Sequence, residues 1–163
     1  LREKSVRRKL SAISHEFEGK AVLLVDDSIV RGTTSAQIVE MARDVGARKV
    51  YFASAAPPVR HPNVYGIDMP AVDEFIANGR SIDEINGIIG SDRLFYQTLE
   101  DLIDVTSIGS SPPGRFDASC FNGEYVTQDI DATYLETLRS RRNDAAKQST
   151  APTEVVGLHN GEA

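Results

Sequence analysis

The pattern of apolar and polar residues divides the start of the chain into a strand, a helix and a second strand. The run "KAVLLVDD" at 20–27 is almost continuously apolar, which predicts a strand that is buried on both faces. Apolar residues at helical spacing follow at 36–45, and Gly46 is placed to end that helix. The run "RKVYFASAA" at 48–56 predicts another buried strand, which ends before Pro57. This order predicts an α/β fold with a parallel sheet and a right-handed crossover.

Beyond the second strand, the pattern becomes helical and is interrupted by turn-forming residues. The clearest boundary is a capping-box signature, in which Ser81 precedes Glu84 by three positions. In chain order we predict a short helix at 70–78, the capped helix at 82–89 and a further helix at 96–104. A hairpin or tight turn around an Asn-Gly pair is predicted at 119–127, and a final amphipathic helix at 131–142.

These elements predict one domain at 20–142 with a different kind of segment on each side. Residues 1–19 are strongly charged, and we expect them to form a mobile loop that leads into the fold. Residues 143–163 are rich in Ala, Thr, Gln and Gly and have little periodicity, which predicts a disordered tail.

Composition and charge exclude several classes of partner. The net charge of −6 and the pI of about 5.1 argue against a general affinity for nucleic acid or for an anionic membrane. No apolar run approaches the roughly 20 residues of a membrane span. The single cysteine, Cys120, excludes an internal disulfide and fits a reducing cytoplasm.

Two adjacent carboxylates, Asp26 and Asp27, stand at the predicted carboxyl end of the first strand. Ligands of open parallel sheets bind beyond this end of the strands. Adjacent carboxylates repel each other unless a cation or a set of hydroxyl groups lies beside them. A sugar with bound Mg²⁺ meets that need, because Mg²⁺ prefers oxygen ligands and retains much of its water.

The loop that follows the acidic pair favours a negatively charged ligand, whereas the acidic pair favours a cation or hydroxyl groups. Gly32 lets the backbone approach a ligand closely, and Thr33, Thr34 and Ser35 supply hydroxyl donors. The same residues open the predicted helix, and a helix N-terminus attracts anions. The acidic pair and the 28–35 loop together predict a pocket for a sugar phosphate.

Here the residues resemble a known family. The run "VLLVDDSIVRGTTS" closely resembles the phosphoribosyl pyrophosphate motif of the type I phosphoribosyltransferases. Together with "SVRRKL", "ASAAPPVRHPNVYGIDMP" and "CFNGEYVT", it is similar to the glutamine-dependent amidotransferase branch of that family. The resemblance covers about residues 1–142 and several separated motifs in the same order. It implies a type I phosphoribosyltransferase sheet followed by a C-terminal helical region.

The resemblance also implies roles for particular residues. Asp26 and Asp27 are expected to bind the ribose hydroxyls and Mg²⁺, as catalytic and metal-binding residues. Residues 1–11 are expected to be the second half of a flexible active-site loop, which brings Arg7 and Lys9 near the pyrophosphate or a nucleotide site. The 28–35 loop is expected to surround the 5′-phosphate with backbone amides and with Ser28, Arg31, Gly32, Thr33, Thr34 and Ser35. For Arg31, a solvated loop charge is the equal alternative.

The implied reaction is the first step of de novo purine biosynthesis, in the cytoplasm. Ammonia released from glutamine is transferred to phosphoribosyl pyrophosphate, which gives 5-phosphoribosylamine. The resemblance further implies inhibition by purine nucleotides and assembly into a homo-oligomer. The glutaminase domain and the first transferase strands have no counterpart here, so we expect a C-terminal fragment that is inactive and poorly soluble by itself. One cysteine cannot hold a four-cysteine iron–sulfur cluster, so no such cluster is expected.

Three other functions compete with this interpretation. A signalling receiver domain also places an acidic pair after its first strand, but it needs a phospho-accepting Asp after a later strand, and "ASAAPP" supplies none. A non-catalytic phosphoribosyl-binding module would keep the loop without the chemistry. A nucleobase phosphoribosyltransferase shares the motif but not "NVYGIDMP" or the C-terminal helices.

Overall fold

A computed structural model describes residues 14–108, 116–127 and 129–149, with the backbone alone described at Ser14 and at 141–149. The chain divides into two compact units, Leu1–Asp129 and Ile130–Ala163, and each is described by itself. The expected loop at 1–11, with Arg7 and Lys9, lies outside the described residues. So does the part of the expected tail at 150–163.

The first unit alternates strands with helices, as its sequence pattern predicts. Its elements in chain order are α1 (Ser14–Phe17), β1 (Ala21–Asp26), α2 (Thr33–Asp44), β2 (Lys49–Ser54), a 3₁₀ turn (Val72–Glu74), α3 (Ile82–Ile89), β3 (Arg93–Tyr96), α4 (Leu99–Ser107) and α5 (Ser119–Asn122). The second unit contains α6 (Ala132–Ser149).

The three strands form one parallel sheet in the order β1-β2-β3. Asp26 pairs with Ser54, and Ser54 pairs with Tyr96, so the last residues of the three strands share one row of the sheet. The predicted α/β fold and parallel pairing are confirmed. The row at 26, 54 and 96 marks the edge of the sheet where a ligand site is expected.

The core lies between one face of the sheet and helices α2 and α3. Phe52 is 1% exposed at its centre, with Val39 from α2 and Ile85 from α3 also buried in the cluster. Burying a side chain of this size contributes roughly 1.5–3 kcal/mol. This packing holds α2 and α3 against the sheet.

The opposite face of the sheet contradicts the prediction that β1 is buried on both sides. Leu23 is 57% exposed and Val25 is 70% exposed, and Phe95 of β3 lies on the same exposed face. A continuous apolar run predicts that its side chains are buried, but it does not indicate which segment of the protein covers them. In the described part of the chain, this apolar face of the sheet is uncovered.

Two helix ends confirm their sequence signals. The Ser81 hydroxyl accepts a hydrogen bond from the Glu84 N–H at 3.3 Å, and the Glu84 carboxylate accepts one from the Ser81 N–H at 2.8 Å. Gly46 has a φ of +92°, and its N–H donates to the Arg43 carbonyl at 2.9 Å. Both the predicted capping box and the predicted helix stop are therefore present.

Four local predictions differ from the structure. The predicted helix at 70–78 is a single 3₁₀ turn. The Asn-Gly pair, predicted as a hairpin or a tight turn, forms a tight turn in which Gly123, with a φ of +75°, ends the four-residue helix α5. Strand β3 was not predicted, because it has only four residues, and α4 begins three residues later than expected. Helix α6 continues to Ser149, beyond the predicted end at 142.

Helix α6 is preceded by Asp131 and has a weak apolar stripe. The Asp131 carboxylate accepts a hydrogen bond from the Tyr134 N–H at 2.7 Å, which satisfies one N–H of the first turn. Leu135 and Leu138 are half-buried, whereas Tyr134 is exposed. In the part of the chain that the structure describes, no helix is both long enough and apolar enough to cross a membrane.

Candidate functional site

The acidic pair lies where the sequence predicts it, at the carboxyl end of β1. The Asp27 N–H donates to Asp26 Oδ1 at 3.0 Å, and the Ser28 hydroxyl donates to Asp27 Oδ1 at 3.0 Å. Asp26 is half-buried and Asp27 is exposed. These bonds hold the two carboxylates side by side at the end of the strand, where a cation or a polyhydroxylated ligand can reach them.

Gly32 is the turning point between the acidic pair and helix α2. Its φ of +76° lies in the left-handed region, which side chains other than glycine rarely adopt. A Cβ added at this position would also collide with the Cδ1 atom of Ile76. Both backbone conformation and space therefore require glycine here.

Helix α2 begins without a side chain that caps its N–H groups. Among the described residues, Gly32 provides no side-chain cap, and the first turn of α2 contains no acidic residue. The first intrahelical bond runs from the Ala36 N–H to the Gly32 carbonyl at 2.9 Å, so the N–H groups of Thr33, Thr34 and Ser35 have no acceptor within the helix. Unpaired N–H groups at a helix N-terminus form a site for an anion.

The side chains of this first turn divide into two kinds. Thr33 and Thr34 are exposed, so their hydroxyls are accessible to a ligand on the outer side of the turn. Ser35 is 3% exposed and lies under the turn, towards the core. A ligand at this end of the helix therefore meets two threonine hydroxyls together with backbone N–H groups.

Arg31 does not stand alone as a solvated charge. Its Nε donates to Glu74 Oε2 at 2.8 Å, and both side chains are about half exposed. The other oxygen of the Glu74 carboxylate accepts from the Ala71 N–H at 3.2 Å. The structure thus links the 28–35 loop to the 3₁₀ turn, which the sequence pattern does not predict.

Ile76 makes a second connection between the same two regions. Its N–H donates to the Val30 carbonyl at 2.8 Å, and its side chain is 3% exposed against Gly32. The sequence pattern does not assign Ile76 or Glu74 to the site. The only local signal, Pro70 before an apolar and acidic run, indicates a turn but not its contact with the 28–35 loop.

Burial is the main cause of the shifted pKa values of His61, Tyr96 and Cys120, which lie outside the loop. Burial, with a smaller effect from the Arg60 charge, lowers the pKa of His61 below 6.5. Burial raises the pKa of Tyr96 to about 12, and burial also raises the pKa of the Cys120 thiol. The Cys120 sulfur lies 3.9 Å from the Met69 sulfur, which fits a packing role for this cysteine.

No metal cage is preformed in the described part of the chain. Within residues 14–108, 116–127 and 129–149, no three His, Cys, Asp or Glu side chains are grouped closely enough to hold an ion. Asp26 and Asp27 are therefore two ligands at most. That number suits a Mg²⁺ ion which takes its other ligands from substrate oxygens and water.

Comparisons with known proteins match most of the chain. The amidophosphoribosyltransferase of Escherichia coli strain K12 is 59% identical over 158 residues, which are 97% of this chain and 31% of that protein. The protein of the same name from Saccharomyces cerevisiae is 47% identical over 161 residues, again 31% of its length. The chain thus spans about a third of the curated relatives it matches. No family model matches it.

Two solved structures have the same fold. The glutamine phosphoribosylpyrophosphate amidotransferase of Bacillus subtilis, in complex with ADP and GMP, superposes with a TM-score of 0.63 at 38% identity, over 76% of this chain and 28% of that one. A structure described as the allosteric regulatory enzyme of purine biosynthesis has a TM-score of 0.66 at 40% identity, over 78% and 28%.

The parallel sheet and these similarities place the chain in the type I phosphoribosyltransferase class of fold. Within that class, the chain belongs to the amidophosphoribosyltransferase family.

Proposed function

We propose that this chain supplies the ribose 5-phosphate site of a glutamine-dependent amidophosphoribosyltransferase. The full-length protein that carries it would transfer ammonia to phosphoribosyl pyrophosphate, release pyrophosphate and form 5-phosphoribosylamine. The anomeric C–O bond to pyrophosphate breaks as the new C–N bond forms on the opposite face of the ribose. The glutamine-hydrolysing part lies outside this chain, and the chain alone is expected to be inactive.

One observation carries the proposal: an acidic pair and an uncapped helix N-terminus lie on the two sides of one glycine turn. The carboxylates of Asp26 and Asp27 suit the ribose hydroxyls, which are hydrogen-bond donors. The N–H groups at the start of α2 and the hydroxyls of Thr33 and Thr34 suit the 5′-phosphate. Opposite chemical preferences at this short spacing match the two ends of a ribose 5-phosphate.

The residues of the site act mainly by positioning and by electrostatics. Asp26 and Asp27 orient the ribose ring, and their charge stabilises the positive charge that develops at the anomeric carbon. Helix α2 holds the phosphate away from the reacting bond, so binding energy at the phosphate fixes the sugar in place. Mg²⁺, for which these two carboxylates are suitable ligands, would neutralise the departing pyrophosphate. Arg7 and Lys9 are proposed to approach that pyrophosphate.

The relatives suggest further partners for the full-length protein. The Bacillus subtilis protein was crystallised with ADP and GMP, which supports purine nucleotides as ligands of this family. We extend that to purine nucleotide inhibition here, with a homo-oligomeric assembly and a cytoplasmic location. A non-catalytic phosphoribosyl-binding role is the second candidate, because the chain spans only about a third of its enzymatic relatives.

Substitution Asp27→Asn in the full-length protein tests the proposed function. Removing the charge while keeping the shape should lower kcat/KM for phosphoribosyl pyrophosphate by roughly two orders of magnitude, as for other lost electrostatic contacts to a transition state. Asp83→Asn, at an exposed Asp in the first turn of α3, is the matched control and should leave the kinetics unchanged. Unchanged kinetics for Asp27→Asn would remove this carboxylate from the site. Binding without product formation in the unmodified protein would favour the binding module.

A further inference from the structure

The residues that shape the 28–35 loop lie more than forty positions away from it in the chain. Arg31 pairs with Glu74, the Val30 carbonyl accepts the Ile76 N–H, and the Ile76 side chain fills the space beside Gly32. Three consecutive residues of the loop, 30 to 32, thus contact one short stretch. We define this stretch, residues 71–77, as the 71–77 segment.

The 71–77 segment is itself fixed on its other side by two arginines. The Arg60 guanidinium donates to the Ala77 carbonyl and, at 3.2 Å, to the Arg80 carbonyl. The Arg80 guanidinium donates to the Ile76 carbonyl at 3.1 Å. Ile76 and Ala77 are buried in the main core, so this backbone cannot move without disturbing the cluster around Phe52. The loop is therefore held against a rigid support.

The contacts of Arg31 determine what its charge can do. Its Nε is bonded to Glu74, and the Glu74 carboxylate is also bonded to the Ala71 N–H in the turn. A guanidinium held in this way connects the loop to the 71–77 segment. The neighbouring carboxylate also cancels much of the attraction of the guanidinium for a phosphate. The N–H groups of α2 then carry the phosphate contact.

We propose that Glu74 and Ile76 are positioning residues for the phosphate site, and that Arg31 acts through Glu74 and does not bind the phosphate directly. This inference rests on the proposed function. It predicts that loss of either partner of the ion pair alters the binding of phosphoribosyl pyrophosphate by loosening the loop, with little change in the chemistry after binding. The effect should appear in KM and not in kcat.

A double-mutant cycle in the full-length protein tests the pairing. Arg31→Ala and Glu74→Ala should each raise KM for phosphoribosyl pyrophosphate by about two- to fivefold, the size expected for a half-exposed ion pair. The KM of the double variant should not exceed the higher KM of the two single variants, because each substitution removes the same interaction. The exchanged pair, Arg31→Glu with Glu74→Arg, should recover most of the affinity.

A second ion pair provides a matched control. Arg43 of α2 bonds Asp92 at 3.0 Å and the Gly90 carbonyl at 2.8 Å, at the opposite end of the helix from the loop. Arg43→Ala should lower the melting temperature without changing KM. A rise in KM for this variant equal to that for Glu74→Ala would reduce the role of Glu74 to general stability and overturn the assignment.

The outcomes separate this inference from the proposed function. If Arg31→Ala weakens binding at least tenfold more than Glu74→Ala and the two effects add, Arg31 binds the phosphate directly and the positioning assignment is wrong. The proposed function survives that result. If the unmodified full-length protein binds no phosphoribosyl pyrophosphate, the proposed function fails, and this inference fails with it.

Discussion

Helices α2 and α3 both follow a strand of the same sheet, yet they begin in opposite ways. Helix α3 starts at Ser81, whose side chain forms a reciprocal capping box with Glu84, and Asp83 adds a further negative charge in the first turn. Helix α2 starts at a left-handed glycine, and its first turn has neither a side-chain cap nor an acidic residue among the described residues. Helix α3 satisfies N–H groups of its first turn with its own side chains, whereas the first turn of α2 has no side-chain acceptor at its N-cap.

The difference shows how a local stability cost marks a site. A side-chain cap is worth about 1 kcal/mol to a helix, and an acidic residue in the first turn adds about 0.3–1 kcal/mol. Helix α2 has neither contribution, because Gly32, which is roughly a few tenths of a kcal/mol less favourable than Ser or Thr, occupies its N-cap position and its first turn has no acidic residue. The helix is instead stabilised by its buried face and by the 71–77 segment, which supports the turn that precedes it.

Thr33→Glu should have the largest effect on binding, because it gives α2 the acidic first turn that α3 already has. A carboxylate about 4 Å from a bound phosphate costs on the order of 4 kcal/mol at an intermediate dielectric constant, so affinity for phosphoribosyl pyrophosphate should fall by a hundredfold or more. Stability should stay constant or rise, because the new charge favours the helix dipole. Titration calorimetry and thermal unfolding of the full-length protein measure the two quantities. Unimpaired binding would place the phosphate elsewhere.

Gly32→Ala should be the most destabilising single-methyl change at the start of α2. The positive φ and the collision with Ile76 together should cost about 1–3 kcal/mol in the free energy of unfolding, measured with urea. Gly87→Ala is the matched control, since Gly87 lies inside α3 with open space around it. That substitution should stabilise the chain by about 0.5–1 kcal/mol. Equal effects at the two glycines would contradict the assigned role of Gly32.

Ser81→Ala should lower stability without changing binding, whereas Thr33→Glu should lower binding without lowering stability. Loss of the cap should reduce the free energy of unfolding by about 1 kcal/mol. Affinity for phosphoribosyl pyrophosphate should be unchanged, because α3 already satisfies its own N–H groups. A parallel loss of affinity in the same titration would mean that the two helix ends do not have separate functions.

Acid should weaken the capped helix more than the uncapped one. Hydrogen bonds from Ser81 lower the pKa of Glu84 below 4.5, so the unfolded chain binds a proton more readily at this group. The stabilisation is therefore present above pH 4.5 and is lost as the pH falls through the lower folded pKa. Glu84→Gln should flatten this part of the acid unfolding curve. An unchanged curve would show that the ionisation of Glu84 does not contribute to stability.

The sequence predicted correctly those structural features that depend on residues close together in the chain. The capping box at Ser81, the helix stop at Gly46 and the strand that ends in Asp26 each depend on neighbouring residues, and each is present. The acidic pair and the glycine turn were found for the same reason.

What the sequence did not predict depends on contacts between distant segments. Arg31 and Glu74 are 43 positions apart, and no local pattern indicates that they meet. Likewise, the apolar run of β1 could not show that Leu23 and Val25 face an uncovered side of the sheet. Strand β3 was missed because four residues are too few to establish a period.

The phosphate site is tested directly by the backbone amide NMR signals of both helix starts in full-length protein labelled with ¹⁵N-threonine and ¹⁵N-serine. Phosphoribosyl pyrophosphate and Mg²⁺ are added until the shifts saturate. We expect large shifts for Thr33, Thr34 and Ser35, because their N–H groups gain a phosphate acceptor, and none for Ser81. Saturable binding that leaves those three signals unchanged would contradict the assignment of the uncapped start of α2 as the phosphate site.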